Sequence, residues 1–371
     1  QRDMIEEEVV SRLRAPRLNC KVRDALSGRV ISFSEVGDPE GNAILMCTGL
    51  GLTRYVSELF HELAIALHIR IITIERPGIG ASEAHSPYDA TGPLAWPNDV
   101  RTVCHHIGVR KFSILAHSAG AAYGMAVALT LPQMVRGKVH LMAPWIPPSQ
   151  LEGLNAEAVG SRVGRSQRIL RKLPTPVIRM ANLPMVNAAA ASMKPLKPSK
   201  TSRRQKRAYD DVSNSPQSQS SRSRHPGIRH SMILMDHYLP NNCPYDLTTG
   251  HPLISGNRAD PVARAAWSRR MAQRTWELAI TDGNPAVDLL VCIERDRKVG
   301  FSFFDVPLDI VITHGSEDTR IPLEHVRWLA ENLNRRNRCE LRVLDGQGHS
   351  LMADSAIVSS VLAEIAAAWD R

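Results

Sequence analysis

Short β-branched runs alternate with amphipathic stretches along the first part of the chain. Residues 18–22 and 29–35 flank Asp24-Ala25-Leu26-Ser27-Gly28, which predicts a hairpin. Residues 43–47 form an apolar run of buried-strand type and end in Thr48-Gly49-Leu50-Gly51. The amphipathic spacing of residues 55–67 predicts a helix. Residues 70–74 are again strand-like and end in Glu75-Arg76-Pro77-Gly78-Ile79-Gly80-Ala81-Ser82, a loop by its Pro and Gly content. A helix is predicted over 97–107, then a strand that ends at His117, a helix to Leu131, and a strand over 137–143. This alternation predicts a mostly parallel central sheet with helices on both faces, the α/β class.

The alternation stops after Trp145-Ile146-Pro147-Pro148. From there to about residue 300 helical stretches are expected at 159–173, 261–280 and 286–297, without a buried strand. The sheet pattern then resumes, with strands at 308–313 and 339–344 and helices at 323–333 and 357–369. Residues 1–144 and 301–371 are therefore expected to form one core, interrupted by a mainly helical insertion over 145–300.

Composition adds a boundary inside that insertion. The formal charge is +9, but residues 193–230 hold ten Lys or Arg and only Asp210 and Asp211, so this segment carries +8 of it. It is rich in Ser, Gln and Pro and poor in apolar residues, which predicts a disordered basic loop. Its chemistry suits a weak anionic partner, and residues 200–207 form a weak nuclear-import-like patch. Without interleaved aromatics or a recognition motif, it does not predict nucleic-acid binding.

Elsewhere the composition is that of an ordinary globular protein, 43% hydrophobic and 22% charged. No run of about 20 apolar residues predicts a membrane span. Residues 1–14 carry no apolar signal core, and the chain begins at Gln1 rather than Met, which leaves room for a piece upstream. The six cysteines have no metal-ligand spacing and are expected to be reduced thiols of a cytoplasmic protein.

The candidate chemistry centres on Ile114-Leu115-Ala116-His117-Ser118-Ala119-Gly120. A strand runs directly into a helix and a serine sits at the junction between small residues, which is the pattern of a nucleophile elbow. A serine needs a base, and the base needs an acid to orient it. His349 follows the last strand on the Gly-rich loop Asp345-Gly346-Gln347-Gly348. Asp318 follows the strand at 308–313, with Glu317 as its adjacent competitor. The alternative position for the acid, after the sixth strand, holds Pro144-Trp145-Ile146-Pro147 and no carboxylate. Two backbone N–H groups are needed for the oxyanion; Ala119, after the nucleophile, and Leu50, in the Gly-rich turn, are the candidates.

With these pieces in order, the chain resembles the α/β-hydrolase fold superfamily, in its capped esterase, lipase and aminopeptidase-like branch. The matching motifs are T-G-L-G, E-R-P-G-I-G-A-S, A-H-S-A-G, H-G-S-E-D-T-R-I-P and G-Q-G-H. Thr48, Glu75 and Ala116 depart from the family's usual His, Asp and Gly. The resemblance implies a catalytic triad of Ser118, Asp318 and His349, an oxyanion hole at Leu50 and Ala119, and a cap over the pocket. Gly49, His117 and Trp145 are expected to contact the substrate. It implies acyl transfer on a small-molecule ester with neither metal nor organic cofactor. Serine at the nucleophile position speaks against dehalogenase and epoxide hydrolase chemistry, which needs Asp there. An acyltransferase, a peptidase and a non-catalytic binding protein of the same fold remain as alternatives.

Overall fold

The computed structural model describes residues 4–86, 92–151, 245–246, 251–252, 261–295, 297–336 and 338–370. The helix expected at 159–173, the basic segment 193–230 and the patch at 200–207 lie outside the described residues.

Eight strands form one sheet: β1 (Cys20–Arg23), β2 (Val30–Gly37), β3 (Asn42–Cys47), β4 (Ile69–Ile74), β5 (Phe112–His117), β6 (Val135–Met142), and then β9 (Ile310–Gly315) and β10 (Cys339–Leu344). A separate two-stranded pair, β7 (Tyr245–Asp246) and β8 (His251–Pro252), lies between them in sequence. The sheet order is β1-β2-β4-β3-β5-β6-β9-β10, with β1 and β2 antiparallel at one edge and every other pairing apart from β2–β4 parallel. The order reverses between β3 and β5, so the loops after these two neighbours splay apart at the carboxyl edge and leave a crevice. Cys47 pairs with Ala116, and His117 with Met142, so Thr48 and Ser118 leave the sheet side by side.

Strand pleating divides the apolar residues between two cores. Ala43, Leu45, Cys47, Ile114, Ala116 and Leu141 face one core, while Ile44, Met46, Leu115 and Met142 face the other. The first core is closed by α3 (Trp96–His106), α4 (Gly120–Thr130) and α7 (Leu323–Asn334). The second is closed by α1 (Met4–Leu13), α2 (His61–Ala66) and α8 (Ser355–Ala367). Strands buried on both faces explain the near-continuous apolar runs in the sequence. Among the described residues no helix is long and apolar enough to cross a membrane.

Two elements differ from the sequence reading. α1 was not expected, since residues 1–14 look merely charged; it docks through Val9 and Leu13, and its Arg12 pairs with Glu58 and Glu62. The helix expected over 55–67 begins as a 3-10 segment, Arg54–Phe60, and becomes α-helical only at α2. The Arg54 side chain is buried there, donating to the Leu18 carbonyl at 2.6 Å and paired with Glu75 at 2.8 Å, so the turn is shaped by long-range contacts.

The end of the insertion is part of the packed body. α5 (Pro261–Thr281) puts Trp267 and Met271 into the second core, and the Thr53 N–H donates to the Ala279 carbonyl at 3.0 Å. α6 (Pro285–Cys292), shorter than the stretch expected at 286–297, packs beside the loop after β3. The exit and return of the insertion are stitched together. The Trp145 indole donates to the Cys292 carbonyl at 3.0 Å, and Ser149 donates from its backbone and hydroxyl to Glu294 at 2.7 Å.

α4 must approach β3 and β5 closely for Ser118 to sit at the sheet edge. A Cβ on Gly120 would lie 2.3 Å from the Cys47 carbonyl oxygen and 2.5 Å from that of Thr48. A Cβ on Gly124 would lie 3.0 Å from the Ala116 Cβ. Ala116 is therefore tolerated where the resemblance leads one to expect Gly, because the facing helix position is itself Gly124. Gly120→Ala forces backbone apart and is expected to cost about 1–3 kcal/mol or more. Gly124→Ala presses only on side chains and gains about 1 kcal/mol of helix propensity, so its net effect is expected to be smaller. Urea denaturation of the two variants checks the ranking, and a Gly124→Ala loss as large as that of Gly120→Ala would contradict this packing.

Candidate active site

Ser118 closes β5 with a φ of 52°, the left-handed region that a residue with a Cβ rarely adopts. Such strain costs on the order of 1–3 kcal/mol and must be held by its surroundings. The Ser118 N–H donates to the Met142 carbonyl at 3.0 Å, and its own carbonyl accepts from Ala121 and Trp145, both at 3.0 Å. The sharp turn lifts the hydroxyl off the strand at the crevice between β3 and β5.

His349 and Asp318 meet that hydroxyl from 231 and 200 residues away in sequence. Ser118 Oγ lies 2.9 Å from His349 Nε2, and His349 Nδ1 lies 2.8 Å from Asp318 Oδ2. With the Nδ1 proton donated to the carboxylate, Nε2 is left as the acceptor for the serine hydroxyl. Asp318 Oδ1 accepts from the Arg320 and Ile321 N–H groups at 2.8 and 2.9 Å. Burial alone would raise the Asp318 pKa; the hydrogen bond and charge of His349, with these two amides, outweigh it and hold the group below its ordinary value. Glu317, the competitor in the sequence, is exposed, whereas Asp318 is buried and holds the His349 Nδ1.

The two loops that carry Asp318 and His349 are locked backbone to backbone. Glu317 N–H donates to the Gln347 carbonyl at 2.8 Å, and a Cβ on Gly315 would lie 2.2 Å from that same oxygen. Glycine at the end of β9 is thus required for the loops to close on each other.

The remaining sequence candidates take different places. His117 is buried and directs its Nε2 to the His349 carbonyl at 3.3 Å, with the two rings 5.4 Å apart. That contact ties the end of β5 to the His349 loop. A Cβ on Gly49 would meet the His117 ring at 3.1 Å, so this glycine lets the loop after β3 lie over the end of β5. The N–H groups of Leu50 and Ala119 make no hydrogen bond among the described residues. Trp145 is held by its indole bond to Cys292, at the mouth of the insertion.

The structure adds three residues that the sequence did not single out: Arg76, Tyr123 and Asp288. Arg76 and Asp288 form a fully buried ion pair, with Arg76 Nε donating to Asp288 Oδ1 at 2.9 Å and Nη2 donating to Oδ2. Arg76 also donates to the Thr48 and Gly49 carbonyls at 2.9 and 2.8 Å, while Asp288 accepts from the Gly51 N–H at 2.7 Å. Tyr123 lies under the guanidinium, 5.0 Å from it, and burial first, with the neighbouring Asp288 charge next, pushes its hydroxyl pKa well up. Burial works against the charge on Arg76, but Asp288 outweighs it and the pKa is raised. Arg76 could have been suspected from its place in E-R-P-G-I-G-A-S. Asp288 carries no local signal, because 212 residues separate it from its partner.

Comparison with known proteins agrees with the fold. The family profile described as alpha/beta hydrolase fold matches residues 42–165, the stretch that carries Leu50 and Ser118. The provisionally named carbamate hydrolase RutD of Rhizobium rhizogenes (strain K84 / ATCC BAA-868) is 28% identical over 107 residues, 29% of this chain and 40% of that protein. The chain thus matches less than half the length of this curated relative. Among solved structures, an alpha/beta hydrolase fold protein from Nakamurella multipartita is similar with a TM-score of 0.53 and 16% identity, covering 95% of this chain and 99% of that one. A thermophilic esterase from Thermogutta terrifontis is similar with a TM-score of 0.52 and 14% identity, covering 93% and 97%.

Two buried histidines at this edge of the sheet make stability depend on pH. Burial first, and the neighbouring His349 next, push the His117 pKa down to about 3; burial pushes that of His140, on β6, down to about 4. As pH falls below the ordinary value of 6.5, the unfolded chain takes up these protons and the folded one does not. Stability is therefore expected to fall between pH 6.5 and about 4, by up to about 1.4 kcal/mol per pH unit for each residue. His117→Gln should flatten this dependence, read as the change in urea midpoint between pH 7 and pH 5. An unchanged dependence would show that His117 is not held neutral by the fold.

Proposed function

We propose that this chain, a protein of the alpha/beta hydrolase fold, is a serine hydrolase that cleaves a carboxylic ester or related acyl bond through an acyl-enzyme. The observation that carries the reading is the continuous relay from Ser118 Oγ through His349 to Asp318, at 2.9 and 2.8 Å, at a strained strand-to-helix turn.

In this reading His349 Nε2 takes the Ser118 proton as Oγ attacks the substrate carbonyl carbon. The oxyanion forms between the Leu50 and Ala119 N–H groups. His349 then gives its proton to the leaving alkoxide, which departs as an alcohol. A water next loses a proton to His349 as it attacks the acyl carbon, and His349 returns that proton to Ser118 Oγ as the acyl C–O bond breaks, releasing the acid and restoring both residues. Asp318 keeps the imidazole in the tautomer with Nδ1 protonated and stabilises the cation that forms. The chain's own groups thus supply each proton transfer.

The substrate class is small to medium and modestly apolar, with Gly49 and Trp145 at the crevice and the insertion acting as its cap. A carbamate, the bond in the name of the RutD relative, presents the same carbonyl to the serine and belongs in the same panel. An acyltransferase or peptidase would use the same acyl-enzyme and differ in the acceptor or the leaving group.

A fluorophosphonate should label the wild-type chain at Ser118 and leave Ser118→Ala unlabelled. Turnover of 4-nitrophenyl esters by Ser118→Ala should fall by roughly 10⁴- to 10⁶-fold with the melting temperature retained. Near-normal ester hydrolysis by that variant would end the assignment.

Asp318→Asn should lower kcat by roughly 10⁴-fold, because the amide favours the wrong histidine tautomer. Glu317→Gln, at an exposed position, should change it by less than about threefold. The opposite ranking would make Glu317 the acid.

A further inference from the structure

Arg76 and Asp288 lie behind the loop after β3, and neither has a part in the acyl-transfer steps. The side-chain hydrogen bonds they make are nevertheless with that loop or with each other. The five N–H donors of an arginine form a fixed planar fork. In Arg76 they reach Asp288 Oδ1, Asp288 Oδ2, the Thr48 carbonyl, the Thr48 hydroxyl at 3.3 Å and the Gly49 carbonyl. The fork therefore grips two consecutive peptide units from one side.

The Gly49 carbonyl and the Leu50 N–H belong to the same peptide plane. In a trans peptide these two groups point in opposite directions. Holding the Gly49 oxygen at 2.8 Å from Arg76 Nη2 thus turns the Leu50 N–H away from the guanidinium. The next peptide is held from its other group, since the Gly51 N–H donates to Asp288 Oδ2 at 2.7 Å. Gly51 has a φ of 67° and little intrinsic preference for one conformation, and beyond these bonds the Gly49 carbonyl is held only by a longer contact from the Leu52 N–H at 3.3 Å among the described residues, so loss of the clamp loosens both peptides. The Leu50 side chain is seated among Ala286, Leu289 and Ile293 of and beside α6, which holds the third point.

We propose that Arg76 and Asp288 are positioning residues that aim the Leu50 N–H into the oxyanion hole. Asp288 reaches the loop from α6, at the return of the insertion, so the hole is assembled only when that return is docked on the core. The role in turnover rests on the serine hydrolase reading above; the clamp on the loop does not.

Two variants separate positioning from folding. Arg76→Lys keeps the charge opposite Asp288 but cannot bridge two carbonyls and a carboxylate with one planar fork. The double variant Arg76→Met with Asp288→Leu removes both charges together, which a buried pair tolerates far better than loss of one partner. Turnover of 4-nitrophenyl acetate is measured per site titrated with a fluorophosphonate, alongside melting temperature and hydrogen exchange of peptides spanning residues 48–53. The expected result is a fall in kcat per site of about 10- to 100-fold for Arg76→Lys and about 10²- to 10³-fold for the double variant, the effect of losing an oxyanion donor. KM should change by less than about threefold, since ground-state binding is untouched. Exchange over 48–53 should speed up while that of α4 stays as in the wild type. Either unchanged kcat per site or unchanged exchange over 48–53 in Arg76→Lys overturns the proposal, and that variant decides if the double one does not fold. If the wild-type chain takes no label and turns over no ester, the hydrolase reading falls, and the exchange over 48–53 still decides the clamp.

Discussion

The left-handed backbone at Ser118 is the constraint on which the rest of the candidate site depends. A serine at a φ of 52° is stable only where its surroundings leave no better conformation. Those surroundings come from four places: the Met142 carbonyl of the adjacent strand, the Trp145 amide at the exit of the insertion, the first turn of α4, and the carbonyls of Cys47 and Thr48 pressed against Gly120. The close contact of α4 with β3 and β5 is thus the same feature that presents the hydroxyl and that brings the Gly49–Leu50 peptide beside it. Removing the tight packing would relax the turn and move both groups at once.

Buried charge is used at this edge of the sheet in a consistent way. The Arg76–Asp288 pair and the Arg54–Glu75 pair each tie a loop after a parallel strand to a segment far away in sequence. A buried pair contributes little net stability once desolvation is counted, but breaking it is costly, so its effect is to select one arrangement of the loops. Glu75 illustrates the point. Its longer side chain, where the resemblance leads one to expect Asp, accepts from the Arg54 and Ala81 amides, and it fits because Gly80 has no Cβ. The polar groups here act on backbone geometry, and the apolar cores on either face provide the bulk of the burial.

The relationship to known proteins is one of fold. Identities of 14 and 16% with solved structures establish the common architecture, and the chain shares a stretch of only 107 residues with the RutD relative. Esters and carbamates both present a carbonyl carbon to a nucleophile, so the geometry of Ser118, His349 and Asp318 alone does not distinguish them. Trp145, Leu50 and α6 are anchored to one another through Cys292 and the cluster around Leu289.

The sequence by itself determined the sheet, its mostly parallel sense and three of the polar groups now within hydrogen-bond distance of each other. These were legible because buried parallel strands impose continuous apolar runs, and because an elbow and Gly-rich loop ends are local patterns of a few residues. Ala116 was legible as a departure but not as a compensated one, since its partner Gly124 lies on another element. The helix at 4–13 was missed because its anchors, Glu58, Glu62, Arg270 and Arg274, are remote, and its own apolar stripe is narrow. Only the tertiary structure decided that Asp318 and not Glu317 faces the imidazole, that His117 supports the His349 loop, and that Arg76 finds Asp288. The physical reason is the same in each case. A side chain's direction within a loop, and the partner of a buried charge, depend on which distant backbone closes over it, and no local pattern of residues encodes that.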